Sequence, residues 1–272
     1  MNTTKTMETP LWSPLADAVA ASNMSAFMGL VNERHGLALA GYDALHAWSV
    51  ENPALFWDAV WDVAGVIGDK GGTVLADPDK MPGARFFPDA RLNFAENLLR
   101  GEGADVALLF NNEGETREPV TRAALARDVA RFAAVLKSWG VGEGDRVAAF
   151  MPNCPETIVA MLAAASIGAV FSSCSPDFGV RGVVDRFGQI EPKILITANG
   201  YFYAGKTHPS LDKLPAILAE MPTVEKVVVV PFTEAAPDIS AVRDAVLLDD
   251  FLAPFTAGDI DFLPVEFHHP LY

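Results

Sequence analysis

Between Gly200 and Thr207 the chain reads GYFYAGKT, directly after the apolar run KILIT. The spacing G-x-x-x-x-G-K-T behind an apolar strand is that of a phosphate loop. There, backbone N–H groups wrap a phosphate, the lysine meets its charge and the hydroxyl holds magnesium. VLLDD at Val246–Asp250 adds an apolar strand ending in acids, which a nucleotide hydrolase would use for the metal. The residues inside the loop argue the other way. Tyr201, Phe202 and Tyr203 are bulky where such a loop needs small residues. Pro209 removes a donor where the next helix should begin to supply them. Two further readings stay open. Lys206 is a solvated lysine beside core aromatics, or the rings and Lys206 together take a ligand with a base and a phosphate, by stacking and ion pairing.

The surrounding charge favours an anion at this place and nowhere near it. The chain of 272 residues carries a net charge of −15, a field that repels nucleic acid and anionic membranes, so neither is expected as a partner. From Glu234 to Glu266 eight acidic residues face a single Arg243, whereas Asp177 to Lys213 holds five basic residues and four acidic ones. No spacing of His, Cys, Asp or Glu suggests a metal site, and Cys154 and Cys174 read as two free thiols. Thr157–Pro176 is uncharged and long enough to span a membrane, but Pro155 and Glu156 open it as a helix and Gly168 interrupts it. It reads as a buried helix running into a buried strand. With no apolar leader in MNTTKTMETPLW, the expected location is the cytoplasm.

The elements that must position Lys206 follow from periodicity. Residues 1–100 read as a mainly helical extension, with two short helices split at Pro53 and a third over Arg91–Arg100. Its tryptophans are expected to pack onto a neighbouring domain. Residues 101–272 alternate strand and helix. Ala107–Phe110 is a strand, Asn111–Glu115 a turn and Thr116–Val120 a polar strand; Thr121 caps a helix that ends at Gly140. RVAAFM, AVFSS, KILIT and KVVVV are strands, separated by a helix over Pro155–Ile167, a turn and helix over SPDFGVRGVVDRFGQI and a helix over LDKLPAILAEM. Such alternation predicts an α/β fold, a parallel sheet flanked by helices on both faces. GVGEGD at Gly140–Asp145 follows a helix and precedes a strand, the wrong order for gripping a phosphate, and is set aside.

Several segments together are similar to one family. LNFAENLLR, then DRVAAFMPNCPETIVAMLAAASIGAVFSSCSPDFGVRGVVDRFGQIEPKILIT, then GYFYAGK resemble the acyl-CoA synthetases of the adenylate-forming superfamily. YDALHAWSVENPALFWDAVW resembles the N-terminal extension of the acetyl-CoA synthetase type, and SSCSPDFGVRGVVDRFGQIEPK with YFYAGK is most similar to the acetoacetate-activating branch. The resemblance spans Tyr42 to Tyr272. It implies an enzyme that uses ATP and Mg2+ to join a short acid, acetoacetate above others, to coenzyme A, releasing AMP and diphosphate. It also implies that Tyr203, Ala204, Gly205 and Lys206 meet the nucleotide end of coenzyme A, with Lys206 on the 3′-phosphate. Tyr203 stands where relatives carry a second basic residue, so stacking on adenine or a phenol hydrogen bond is expected there. Asp177 and Phe178 align with a glycine turn along the coenzyme path, and Arg186 is expected to tie its helix to the sheet. The ATP-phosphate loop, the Mg2+ site and a C-terminal domain are expected beyond Tyr272, as a missing partner of this chain. No catalytic residue is assigned within it, and the chain alone is expected to be inactive, with its last strand exposing an unpaired edge.

Overall fold

The computed structural model describes residues 11–113 and 117–272. The expected turn after Phe110 and the polar strand after it fall partly on residues 114–116, outside the described residues. The chain forms two compact units, Met1–Val66 with Thr73–Phe86, and Ile67–Gly72 with Phe87–Tyr272.

In the first unit, helix α1 (Asn23–His35) was not foreseen, whereas α2 (Tyr42–Glu51) and α3 (Pro53–Ala64) break at Pro53 as expected. Ser22 caps α1, accepting from the Ser25 N–H at 3.2 Å, and Gly36 ends it at φ +64. Arg34 reaches from α1 to Asp58 at 3.4 Å and Asp62 at 2.9 Å on α3. Trp48 does not pack outward as expected; the three helices bury it in their own core with Val31, Leu45 and Ala59. An indole that covers this much apolar area is buried wherever the nearest faces close.

The second unit is built on five strands, β1 (Arg146–Phe150), β2 (Val170–Cys174), β3 (Ile194–Ala198), β6 (Lys226–Val230) and β7 (Ala245–Leu247), with β4 (Gly200–Tyr203) and β5 (Lys206–Pro209) forming a separate pair. The sheet order is β7-β6-β3-β1-β2 and every pairing is parallel. Five helices pack around it: α4 (Phe94–Leu99), α5 (Arg122–Ser138), α6 (Pro155–Ser166), α7 (Val180–Phe187) and α8 (Leu214–Ala219), followed by a short α9 (Leu248–Leu252). Alternation along each strand sorts the core into two layers. Val147, Ala149, Ile196 and Val228 face Phe132 and Leu136 of α5 and Leu162 of α6. Ala148, Phe150, Leu195 and Val227 face Val183 and Phe187 of α7 and Ile217 of α8. Each such fully buried aliphatic or phenyl side chain contributes about 1.5–3 kcal/mol. The continuous valine run of β6 is buried along its whole length, as a strand covered on both faces requires.

Two sequence expectations shift. Arg91 and Leu92 are extended, paired with Gly68–Asp69 and Val265–Glu266, so α4 starts only at Phe94. Asn93 is the cause: its Oδ1 accepts from the Ala95 and Glu96 N–H groups, and its Nδ2 donates to the carbonyls of Ala165, Ser166 and Leu263. The strand expected at Ala107–Phe110 is instead Val106–Leu108, paired with Val120–Thr121. The sheet edges are modest. β7 is three residues long, and on β2 the Phe171 N–H donates to the Leu271 carbonyl at 3.0 Å. Among the described residues, no helix is long and apolar enough to cross a membrane.

One side chain joins the sheet to the β4–β5 pair. Asn199 follows β3 and is 7% exposed. Its Oδ1 accepts from the Phe232 N–H at 2.7 Å and the Thr233 N–H at 3.0 Å, and its Nδ2 donates to Thr233 Oγ1 at 3.0 Å. Its main chain is taken as well, by the Val230 carbonyl and the Ser210 N–H.

Asn199→Ala therefore leaves two N–H groups without an acceptor and is expected to cost about 2–4 kcal/mol, measured by urea denaturation. A loss below about 0.5 kcal/mol would show that water replaces the amide without penalty. Cys154, before α6, and Cys174, at the end of β2, are both buried and unbridged, and burial pushes each thiol up to about 12. Neither is expected to react with a disulfide reagent at about pH 8 until the protein is unfolded, and labelling at the rate of a free thiol would contradict this packing.

Candidate functional site

Gly200–Pro209 is a hairpin. β4 and β5 pair antiparallel, with Tyr203 opposite Lys206 and Tyr201 opposite His208. Ala204 and Gly205 close it at φ +51 and +70, the signs a two-residue turn needs to match the twist of its strands. Glycine takes this conformation freely, whereas Ala204 holds it at a cost of about 1–2 kcal/mol. Glu113 braces the tip: its carboxylate accepts the Gly205 N–H at 2.7 Å. Backbone N–H groups of Gly205 and then Ala204 hold that carboxyl below its ordinary range.

This geometry removes the hydrolase reading. A phosphate loop passes into a helix whose N-terminus faces the anion, but Lys206 and Thr207 lie in a strand and only a single 3-10 turn, Leu211–Lys213, precedes α8. Asp249 and Asp250 sit in the first turn of α9, behind β7, and β6 separates β7 from β3.

Strand alternation divides the aromatics of the hairpin between two faces. Phe202 packs on Phe232, ring centroids 5.9 Å apart, and Phe232 packs on Phe110 at 6.1 Å. Tyr201, Tyr203, Lys206 and His208 share the other face. Tyr201 and His208 stack at 5.1 Å with 19° between ring planes, while Tyr203 is 65% exposed beside an exposed Lys206.

A cleft of about 470 Å³ opens beside the hairpin, lined by Asn153 after β1, Ser175, Pro176 and Asp177 after β2, Tyr201 and Tyr203 of β4, and Phe232 after β6. It lies outside the carboxyl ends of the strands. There β1 has β2 on one side and β3 on the other, the switch point at which open parallel sheets take ligands. Asp177 and Tyr203 thus line one cleft, and Ala204, Gly205 and Lys206 form the hairpin end next to Tyr203. Phe178 does not line it. Its ring lies 4.2 Å from the Arg186 guanidinium, which also donates to Gly182 of its own helix and acts electrostatically on Cys174 at the end of β2, so Arg186 ties α7 to this turn and to the sheet strand before it. Lys213 fixes the turn from behind, donating to the Pro176 and Phe178 carbonyls at 3.1 and 3.3 Å above the Phe150 ring.

Sequence reading overlooked Asn199, Glu113 and Lys213. Only Asn199 carried a local sign, an Asn-Gly pair, which marks a turn or loop. The other two act through contacts remote in sequence.

The chain is similar to known proteins. The profile of AMP-binding enzymes matches residues 96–256, and that of the acetyl-coenzyme A synthetase N-terminus matches residues 42–98. An acetoacetyl-coenzyme A synthetase of Rhizobium meliloti is 48% identical over 97% of this chain and 41% of its own length. An acetoacetyl-CoA synthetase of Xenopus tropicalis is 43% identical over 96% of this chain and 40% of its own. The solved acetoacetyl-CoA synthetase from Streptomyces lividans superposes with a TM-score of 0.89 at 40% identity, covering 97% of this chain and 41% of that one. The chain thus spans about two fifths of the length of these relatives. With the profile of AMP-binding enzymes matching more than half of its residues, the chain belongs to the AMP-binding enzyme family.

Proposed function

We propose that this chain is the coenzyme-binding N-terminal portion of an ATP-dependent acid–CoA ligase acting on acetoacetate in the cytoplasm. In the reaction, the acetoacetate carboxylate attacks the α-phosphate of Mg2+-bound ATP and expels diphosphate. The coenzyme A thiol then attacks the acyl carbon and AMP leaves with the bonding pair, giving acetoacetyl-CoA. Neither bond change is assigned to a residue here. This chain's part is to bind and orient coenzyme A.

The observation that carries the reading is the cross-strand pair Tyr203–Lys206, a phenol ring that lines the switch-point cleft opposite an exposed ammonium on the neighbouring strand. A ring face suits adenine and a point charge suits a phosphate. Ala204 and Gly205 keep the turn small, so the nucleotide can lie against the hairpin, and Asp177, with Phe178 behind it, forms the opposite wall. Acetoacetate as the acid is supported by the relatives, at 48% and 43% identity. The reading also divides the chain into an extension over residues 1–100 and a subdomain over 101–272, in keeping with profiles that meet at residues 96–98. Two unbridged buried thiols suit a reducing compartment.

Coenzyme A is expected to bind more tightly than its 3′-dephospho form, and Lys206→Ala is expected to lower that preference by about 1.5–3 kcal/mol in titration calorimetry. Equal affinity of the unaltered protein for the two ligands would overturn the assignment of Lys206.

A further inference from the structure

Resting on the coenzyme reading, we propose that His208 is the second cation of the phosphate-binding face, acting beside Lys206 in its protonated form. The two residues lie two apart on β5, so their side chains leave the same face, with α-carbons about 6.5–7 Å apart. A phosphate monoester between them can meet both. Lys206 supplies one charge, whereas a phosphate monoester carries nearly two. Tyr203, directly opposite Lys206, brings none.

The imidazole is positioned for this task. Its stack on Tyr201, 5.1 Å between centroids at 19°, sets the ring plane, and Tyr203 approaches it at 6.5 Å. His208 is half-buried, so its orientation is defined while an edge remains accessible. The main chain at the tip offers the phosphate less, because the Glu113 carboxylate already takes the Gly205 N–H. Side chains must then supply the positive charge. The titratable groups around His208 are Tyr201 and Tyr203 from β4, Lys206 from its own strand, and Glu113 from the segment before α5, while Asp177 lines the neighbouring cleft with Tyr201 and Tyr203. Glu113 is the anion a bound phosphate competes with. Imidazole is a side chain whose charge changes between about pH 5 and 8, so pH is the variable that separates its contribution from that of the ammonium.

The test is the ratio of the Kd for 3′-dephospho-coenzyme A to that for coenzyme A, at about pH 6 and about pH 8, in the unaltered protein, His208→Gln, His208→Lys and Lys206→Ala. The Gln variant carries the titration of the phosphate itself, so its difference from the unaltered protein isolates the imidazole. At about pH 6 the ratio is expected to fall about three- to tenfold in His208→Gln, with little change at about pH 8, and to stay high at both in His208→Lys. A ratio unmoved by His208→Gln but lost in Lys206→Ala would overturn the role of His208 alone. A ratio unmoved by both would overturn the coenzyme reading and this proposal with it.

Discussion

The hydrogen bonds of Asn199 are the constraint on which the site depends. One amide, set at the end of β3, accepts from two main-chain N–H groups beyond β6 while its own backbone bonds the end of β6 and the start of the segment after β5. The hairpin therefore leaves the sheet at a defined angle, with both of its ends tied. A buried polar knot of this kind is stable only when complete, because each member left alone would carry the full desolvation cost of a polar group. Packing of Phe202 on Phe232 adds apolar contact to the same junction. Rigid attachment is what allows an exposed strand pair to act as a wall.

The opposite wall is held by different chemistry. Lys213 binds the Pro176 and Phe178 carbonyls and places its ammonium near the Phe150 ring, so a cation serves as a brace and is spent within the fold. Arg186 is likewise engaged, over Phe178 and on Gly182. Of the five basic residues between Asp177 and Lys213, Lys193 is also committed, to the Gly140 carbonyl and Asp145. The excess of positive charge noted in the sequence is thus mostly structural, and Lys206 is the member of that group left facing solvent on the hairpin. Local charge counts point to a region. Geometry decides which charge in it can meet a ligand.

Much of the scaffold was legible because burial on two faces leaves a clear mark: Val227–Val230 and Ile194–Ala198 read as strands on composition alone, and the cap at Thr121 and the break at Pro53 fell where expected. The hairpin was not legible as such. Its alternation is Tyr-Phe-Tyr, and three aromatics in a row hide which ring faces the core. The turn residue Ala204 is one that rarely adopts a left-handed backbone, so the usual Asn-Gly or Gly-Gly signature is absent at the tip. Arg91 and Leu92 misled for a related reason. Their composition suits a helix, and only pairing with Gly68–Asp69 and Val265–Glu266, distant in sequence, draws them into extended form. The family likeness pointed to Lys206, but nothing in it could show that His208 shares a face with it.

The two-residue connection between β4 and β5 also bears on the order in which the site assembles. Contacts between near neighbours in sequence close quickly, on the order of 1–10 μs for a hairpin, whereas parallel strands must wait for the intervening chain to fold back. Tyr201 can thus find His208 before β3 has found β6. The face that carries Tyr201, Tyr203, Lys206 and His208 is a local product of the chain, and the late step in its maturation is the docking of a preformed hairpin through Asn199.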